Sequence, residues 1–307
     1  MKKLRVVFAG TPNFSIPSLE TLIGRRDVEI VCVYTRPDSK AGRGLKLIPS
    51  PIKKLARSSN LSVRELASFS DATELEKFKQ LKPDVLVVTA FGIILPKSII
   101  EAPLLAINVH ASLLPRWRGA APIQRCISEG DKQTGISIMR MVEELDAGPV
   151  ILQKSCAISL EDTSESMHNR LAILGGAALD TVLDQIITKS WSEAPQDEVN
   201  VTYASKITHE EGAINWKMSA EAIDRQIRSL HPKPGAYATI STIKVKIISA
   251  KVINIENNLI PGEVTIKDKN RMLIATGRGS LEIENLQVPG KKIANATTFI
   301  NGYRKFL

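Results

Sequence analysis

Asn108, His110 and Asp146 are the three residue types that acyl transfer to an amine needs when no covalent acyl-enzyme forms. In such a reaction an amine attacks a carbonyl carbon, a tetrahedral oxyanion develops, and one proton leaves the nitrogen. A carboxamide and an imidazole can donate to the oxyanion. A carboxylate can orient the imidazole and, directly or through water, receive the proton. The first two lie in INVHASLLPRWRG, residues 107–119, and the third in EELDAGPV. Taken singly, each has a plainer reading: an Asn capping a turn, a His satisfied in a core, an Asp preceding Ala147-Gly148 in a turn. The constellation is what points to chemistry.

The elements around these residues position them. LLAINV reads as a short buried strand, and alternate residues of a strand share a face, so Asn108 and His110 point the same way. The Ser-Leu-Leu-Pro segment ends that strand, Pro115 offering no backbone donor. The pair is thereby expected at a carboxyl-terminal strand edge, where open α/β sheets bind ligands. Further strands are expected at residues 4–9, VEIVCVY, DVLVVTA, GISIMRM and PVILQKS, with helices over 73–80 and 119–129. That alternation implies an α/β fold with a largely parallel sheet. The turn Gly10-Thr11-Pro12 leads into a helix carrying Pro17, but G-x-G-x-x-G is absent, which argues against a nicotinamide or flavin site. Thr163 caps a long helix whose buried stripe includes Met167, Leu171, Leu174 and Leu179.

Residues 190–207 are polar, contain Pro195 and lack periodicity, and so read as a linker between a domain over 1–189 and another over 208–307. In the second, Ser219 caps a helix with Ile223, Ile227 and Leu230 on one face, stopped by HPKPG. Short alternating segments follow at AYATI, KVKIISAKV, GEVTI, MLIAT and SLEIENL, the pattern of a small, OB-like β-barrel.

The chain has 307 residues and a net charge of +9. Residues 205–307 hold sixteen Lys and Arg against nine Asp and Glu, so most of the excess lies in the last third. A basic domain beside a near-neutral one fits a catalytic body with a nucleic-acid grip. Segment 36–54 is a second basic region, with Arg36, Lys40, Arg43, Lys46, Lys53 and Lys54 against Asp38 alone, and with Gly42 and Gly44 flanking Arg43. Cys32, Cys126 and Cys156 lie far apart in apolar stretches, as expected of reduced thiols in a cytoplasmic protein, without C-x-x-C. The opening MKKLRVVFAGTPNF reads as a first strand, and the longest apolar run, Val85 to Leu95, is well short of the roughly 18 residues a membrane helix requires.

INVHASLLPRWRGAAPIQ followed by LDAG resembles the signature of the folate-dependent formyltransferases. The likeness extends through VFAGTPNF, TRPDSKAGRGLKLIPSPIKK, FGIILP, EDTS, TYASKI and KPGAY, and is greatest to the members that act on methionyl-tRNA. Ala111 departs from it, since relatives commonly carry Gly or Pro there. The resemblance implies a Rossmann-like formyltransferase domain followed by an OB-like tRNA-binding domain, acting as a monomer. It implies 10-formyltetrahydrofolate as formyl donor, the α-amine of methionine on initiator tRNA as acceptor, and no metal or membrane partner. Asn108, His110 and Asp146 match the catalytic set, and Ser112, Leu113, Leu114 and Pro115 match a stretch lining the folate site. Phe91, Ile93 and Leu95 would wall the pterin slot, and Arg36, Lys40, Arg43, Lys46 and Lys206 would contact tRNA, Arg43 foremost.

Two formyltransferase branches offer competing readings. Glycinamide ribonucleotide formyltransferases share the polar set, but the likeness to them ends near residue 190. Sugar-nucleotide formyltransferases carry a trailing domain, so the Arg43 loop separates them better. A third reading, an RNA-binding module on an inactive body, would be marked by loss of the polar set, and all three residues are present.

Overall fold

LRVVFAG is apolar without alternation, the pattern of a strand covered on both faces. In the computed structural model, which describes residues 2–41, 46–69, 71–253 and 259–306, it forms the central strand β1, Leu4–Gly10. Val6, Val7 and Phe8 are fully buried there, each contributing about 1.5–3 kcal/mol on transfer from water.

The chain divides into two units. The first comprises residues up to Pro122, Thr134–Cys156 and His168–Ala204. After β1 come α1 (Ile16–Gly24, with Pro17 in its first turn), β2 (Val28–Thr35), the hairpin strands β3 (Ser39–Ala41) and β4 (Lys46–Ile48), and α2 (Pro51–Ser58). There follow β5 (Val63–Glu65), α3 (Ala72–Gln80), β6 (Val85–Thr89), α4 (Lys97–Ile100) and β7 (Leu105–His110). The short β8 (Arg118–Gly119) precedes α5 (Pro122–Glu129), β9 (Gln133–Arg140), β10 (Val150–Ala157), α6 (Ser164–Ile187) and β11 (Tyr203–Ala204). Seven strands form one sheet in the order β10-β9-β7-β6-β1-β2-β5. β5, β2, β1, β6 and β7 run parallel, and β9 is antiparallel to β7. The order reverses between β2 and β6 around β1, so the crevice beyond the ends of β1, β6 and β7 is the switch point at which such sheets bind ligands. Two hydroxyls tie the mouth together: Thr11 Oγ1 donates to Phe91 O (2.9 Å) and Ser15 Oγ to Thr89 O (2.6 Å).

Two local expectations change. The helix expected over 119–129 starts at Pro122, because β8 pairs in parallel with β11 and the N–H groups of Ala120 and Ala121 are taken by Ala204 O. Segment 190–207, aperiodic in sequence, is tied down at several points: Ala194 bridges Val150, and Thr202 accepts from Trp117 N through Oγ1 and from Arg118 N through its carbonyl. Its regularity is borrowed from distant strands, which is why periodicity did not show it. As the sequence implied, Thr163 caps α6, its Oγ1 accepting from Ser166 N, and Met167, Leu171 and Leu179 are buried, while Leu174 of the expected stripe is half-buried.

The second unit comprises Ile123–Gln133, Ala157–Met167 and residues from Ser205 onward. Ser219 caps α7 (Ala220–Leu230) through Ala222 N. Then come β12 (Ala236–Ile240), β13 (Ile243–Ile253), β14 (Val264–Lys267), β15 (Arg271–Ala275), β16 (Ser280–Gln287), β17 (Ala294–Asn295) and α8 (Ala296–Tyr303). The strands form an antiparallel sheet ordered β12-β13-β16-β15-β14, with β17 on β16. Ile223, Ile227, Ile247, Leu281 and Phe299 fill its core.

Candidate active site

β7 delivers Asn108 and His110 to the mouth of the sheet, where His110 is 6% exposed and Asn108 half-buried. The strand then breaks into a loop that a small polar frame holds in place. Ser137, opposite His110 on β9, donates through Oγ to Ser112 O (2.7 Å) and accepts from Leu114 N (3.0 Å). Gln153 Nε2 donates to Leu114 O (2.7 Å) and to Ser137 Oγ (2.9 Å). Ser112 Oγ spans the loop to Arg116 O (2.6 Å). The loop ends on Trp117 at φ 66°, a conformation rare for a bulky residue, with the Arg116 guanidinium 4.3 Å from its ring centroid. This conformation accompanies a Trp117 carbonyl turned back toward the imidazole: His110 Nε2 lies 2.9 Å from Trp117 O.

Asp146, on the β9–β10 connection, has φ 49°. Its Oδ1 accepts from Asn108 Nδ2 (3.3 Å) and its Oδ2 from Gly119 N (2.8 Å), and Oδ2 lies 3.5 Å from His110 Nδ1. Gly119 sits at φ 120°, and a Cβ there would stand 2.8 Å from Ala204 O, so the residue that hands its N–H to the carboxylate must lack a side chain.

This geometry fixes how the imidazole is used. A carbonyl oxygen can only accept, so Nε2 carries a proton and donates to Trp117 O. Nδ1 is therefore the ring atom turned to the carboxylate. A neutral ring would aim its Nδ1 lone pair at the Asp146 carboxylate, whereas an imidazolium gives Nδ1–H facing Oδ2. Nδ1 and the Asp146 carboxylate face each other, and Asn108 Nδ2 directs one of its two amide hydrogens to Oδ1 of the same carboxylate.

The folate-lining expectations are placed unevenly. Leu113 and Pro115 are half-exposed, Leu114 is buried, and Ser112 is fully buried with its hydroxyl engaged within the loop. Phe91 and Leu95 belong to the apolar core with Tyr34, Phe69 and Phe78, and Ile93 packs partly buried against it. Ile94, which the sequence reading passed over, is the exposed apolar residue of that run, at 93%. Burial pushes the Tyr34 phenol well above its ordinary range, as befits a core ring.

Of the tRNA-directed set, Arg36 is exposed beside Gly92, and Lys40 and Lys46 are exposed on the hairpin strands β3 and β4. Arg43 lies outside the described residues. The root of this hairpin is pinned by Lys53, whose buried Nζ pairs with Asp38 (2.6 Å) and Glu65 (2.7 Å). Lys206 is exposed in the second unit. Sequence reasoning missed the Trp117 carbonyl, the Gly119 N–H, Ser137 and Gln153. Backbone groups carry no residue-type signal, although a Ser inside the apolar GISIMRM was a usable one.

A doubly wound sheet ending in this Asn-His-Asp cluster, with an antiparallel β-unit after it, defines an acyl-transfer enzyme with a Rossmann-like core. Residues 1–183 match the formyl transferase family and residues 206–304 the formyl transferase C-terminal domain. Methionyl-tRNA formyltransferase of Coxiella burnetii is 43% identical over 301 residues, covering 98% of this chain and 96% of that protein. Its counterpart in Marinobacter nauticus is 40% identical over 305 residues, covering 99% and 98%. The crystal structure of an N-formyltransferase from Helicobacter canadensis, in complex with folinic acid and dTDP-3-aminofucose, shares the fold. It superposes with a TM-score of 0.70 at 21% identity, over 92% of this chain and 98% of that one. The chain belongs to the formyltransferase family and, within it, to the methionyl-tRNA formyltransferases.

Proposed function

We infer that the protein transfers the formyl group of 10-formyltetrahydrofolate to the α-amine of methionine on initiator tRNA, giving N-formylmethionyl-tRNA for translation initiation. The convergence of Asn108, His110 and Asp146 at the end of β7 is the observation that carries this reading. It supports a direct transfer. The amine nitrogen attacks the formyl carbon and forms a C–N bond, and the carbonyl π pair moves to oxygen as the oxyanion. The free amide hydrogen of Asn108 donates to that oxygen, and the imidazolium of His110 supplies positive charge beside it. Asp146 takes a proton from the attacking nitrogen. The intermediate then collapses: C=O re-forms, the bond to the folate nitrogen breaks, and that nitrogen leaves with a proton returned through the Asp146–His110 pair. A reference α-amine has a pKa of about 7.7–8.0 and esterification lowers it, so free amine is present at neutral pH. The enzyme's task is the intermediate.

The methionyl-tRNA relatives and the two basic regions support tRNA as acceptor, with Arg36, Lys40, Arg43, Lys46 and Lys206 as contacts and Arg43 leading. A folate donor is supported by the family and by the folinic acid complex of the Helicobacter protein. Leu113, Leu114 and Pro115 lie on the loop beside the cluster, where the donor would be held. The reading places the enzyme in the cytoplasm as a monomer. The test is transfer of labelled formyl from 10-formyltetrahydrofolate with methionyl-tRNA, glycinamide ribonucleotide and an amino-sugar nucleotide offered in parallel. Label on the tRNA alone is expected; label on a small amine with tRNA inert overturns the substrate.

A further inference from the structure

We propose that Gln196 is a positioning residue for Asp146, and that segment 190–207 sets the geometry of the reaction from outside the catalytic cluster; the proposal rests on the catalytic reading of Asp146. Asp146 sits in left-handed backbone on a connection between strands, and its own side chain cannot hold its main chain still. Gln196 does so. Its Nε2 donates to Asp146 O (2.8 Å) and to Gly148 O (2.8 Å), so one amide group spans both sides of the turn. Its Oε1 accepts from Arg118 Nε (3.0 Å). Arg118, 4% exposed, is held in turn by Glu198, NH2 to Oε1 at 2.8 Å. The residue after Arg118 is Gly119, whose N–H donates to Asp146 Oδ2.

These bonds close a ring. Starting at the Asp146 carbonyl, it passes through the Gln196 amide and the Arg118 side chain, follows one peptide link to Gly119, and returns to the Asp146 carboxylate. Backbone and side chain of one residue are thereby fixed against each other. The amide of Gln196 uses both donors and its acceptor, and glutamine is the residue that can: a carboxylate of the same length has no donor for the two carbonyls. Gly148 confirms how tight the turn is, since a Cβ there would overlap Arg140 O. Gln196 bonds to neither His110 nor Asn108; it reaches the cluster at the Asp146 carbonyl and, through Arg118, at the Trp117–Gly119 end of the loop.

The experiment compares Gln196→Glu, Gln196→Met and Asp146→Asn with Glu193→Gln in the full-length enzyme. Glu193 anchors the same segment by pairing with Arg140 and does not contact Asp146. Misplacing a catalytic group by about 1 Å costs about 10²-fold. Both Gln196 variants are therefore expected to lose about 10- to 100-fold in kcat, with KM for folate donor and methionyl-tRNA within about twofold. Glu193→Gln should lose a similar increment of Tm yet keep kcat within about twofold. Normal kcat in both Gln196 variants overturns the proposal, as does an equal loss of kcat in Glu193→Gln, which would mark the segment as a structural strap only. Gln196→Met preserves side-chain volume, so it decides the matter if the charged variant fails to fold. Asp146→Asn separates the two levels: if it is inactive while the Gln196 variants are normal, this proposal alone fails. If it retains full turnover, the catalytic reading fails and takes the proposal with it.

Discussion

Asp146→Asn is the most informative single change, because it keeps the size and shape of the side chain and removes only its charge. Asp146 Oδ2 lies 3.5 Å from His110 Nδ1, with the two side chains 11% and 6% exposed. Opposite unit charges at that distance attract by about 5 kcal/mol at an effective dielectric of about 20. In the proposed mechanism that attraction stabilises the imidazolium beside the oxyanion, and it vanishes in the variant. At 1.36 kcal/mol per decade, kcat should fall by about 10³-fold or somewhat more. The neutral amide adds a second penalty. If its oxygen keeps the Gly119 N–H, its NH2 faces Asn108 Nδ2, donor against donor, so Asn108 must turn its amide over and loses the hydrogen assigned to the oxyanion. The assay is single-turnover transfer of labelled formyl with enzyme in excess over methionyl-tRNA, with circular dichroism to establish folding and a folate titration to establish binding. Folate affinity should stay within about threefold, since the proposed role of Asp146 lies in the intermediate and not in ground-state binding. More than about a tenth of wild-type turnover in a folded variant would refute the charge-pair argument.

Gly119→Ala should destabilise the first unit by about 1–3 kcal/mol through backbone strain alone, because φ 120° excludes a Cβ and Ala204 O blocks it; a lower Tm together with reduced kcat checks this. Arg43→Ala should impair use of charged tRNA and leave folate binding nearly unchanged, read from KM for each substrate; lost folate binding would count against its role. Hydrogen bonding to Arg140 holds the Glu193 carboxyl below the ordinary carboxylate range. A depressed folded-state pKa contributes stability above the unfolded value of about 4.3 that is lost as pH falls through the folded one. Urea unfolding of wild type and Arg140→Gln across this acidic range should therefore converge as pH drops.

Much of this protein was settled by its sequence. The unbroken apolar run of β1, the polar pair Asn108 and His110 two residues apart on β7, and the Thr163 cap of α6 are local patterns. Each is enforced by the period of the element in which it sits, so each was legible without any partner. The antiparallel direction of β9 was not legible, since an apolar strand reads the same in either direction. Nor was the late start of α5, which depends on Ala204 taking the N–H groups of residues 120 and 121. Phe91 and Leu95 read equally as pocket wall or core, and their packing with Tyr34, Phe69 and Phe78 is a contact that only the tertiary structure supplies.

The candidate site divides in the same way. Residue types disclosed the carboxamide, the imidazole and the carboxylate, because chemistry of this kind requires those functional groups wherever they lie. What each group is bonded to depended on chain segments that meet only when the sheet assembles: Asn108 with Asp146 across 38 positions, and Asp146 with Gln196 across 50. Two of the decisive partners, the Trp117 carbonyl and the Gly119 N–H, are main-chain groups that every residue possesses. Sequence therefore determined which reaction the chain is equipped for, and the tertiary structure alone decided which ring nitrogen of His110 meets a carbonyl and which faces the carboxylate, because that is a matter of the direction in which a carbonyl points.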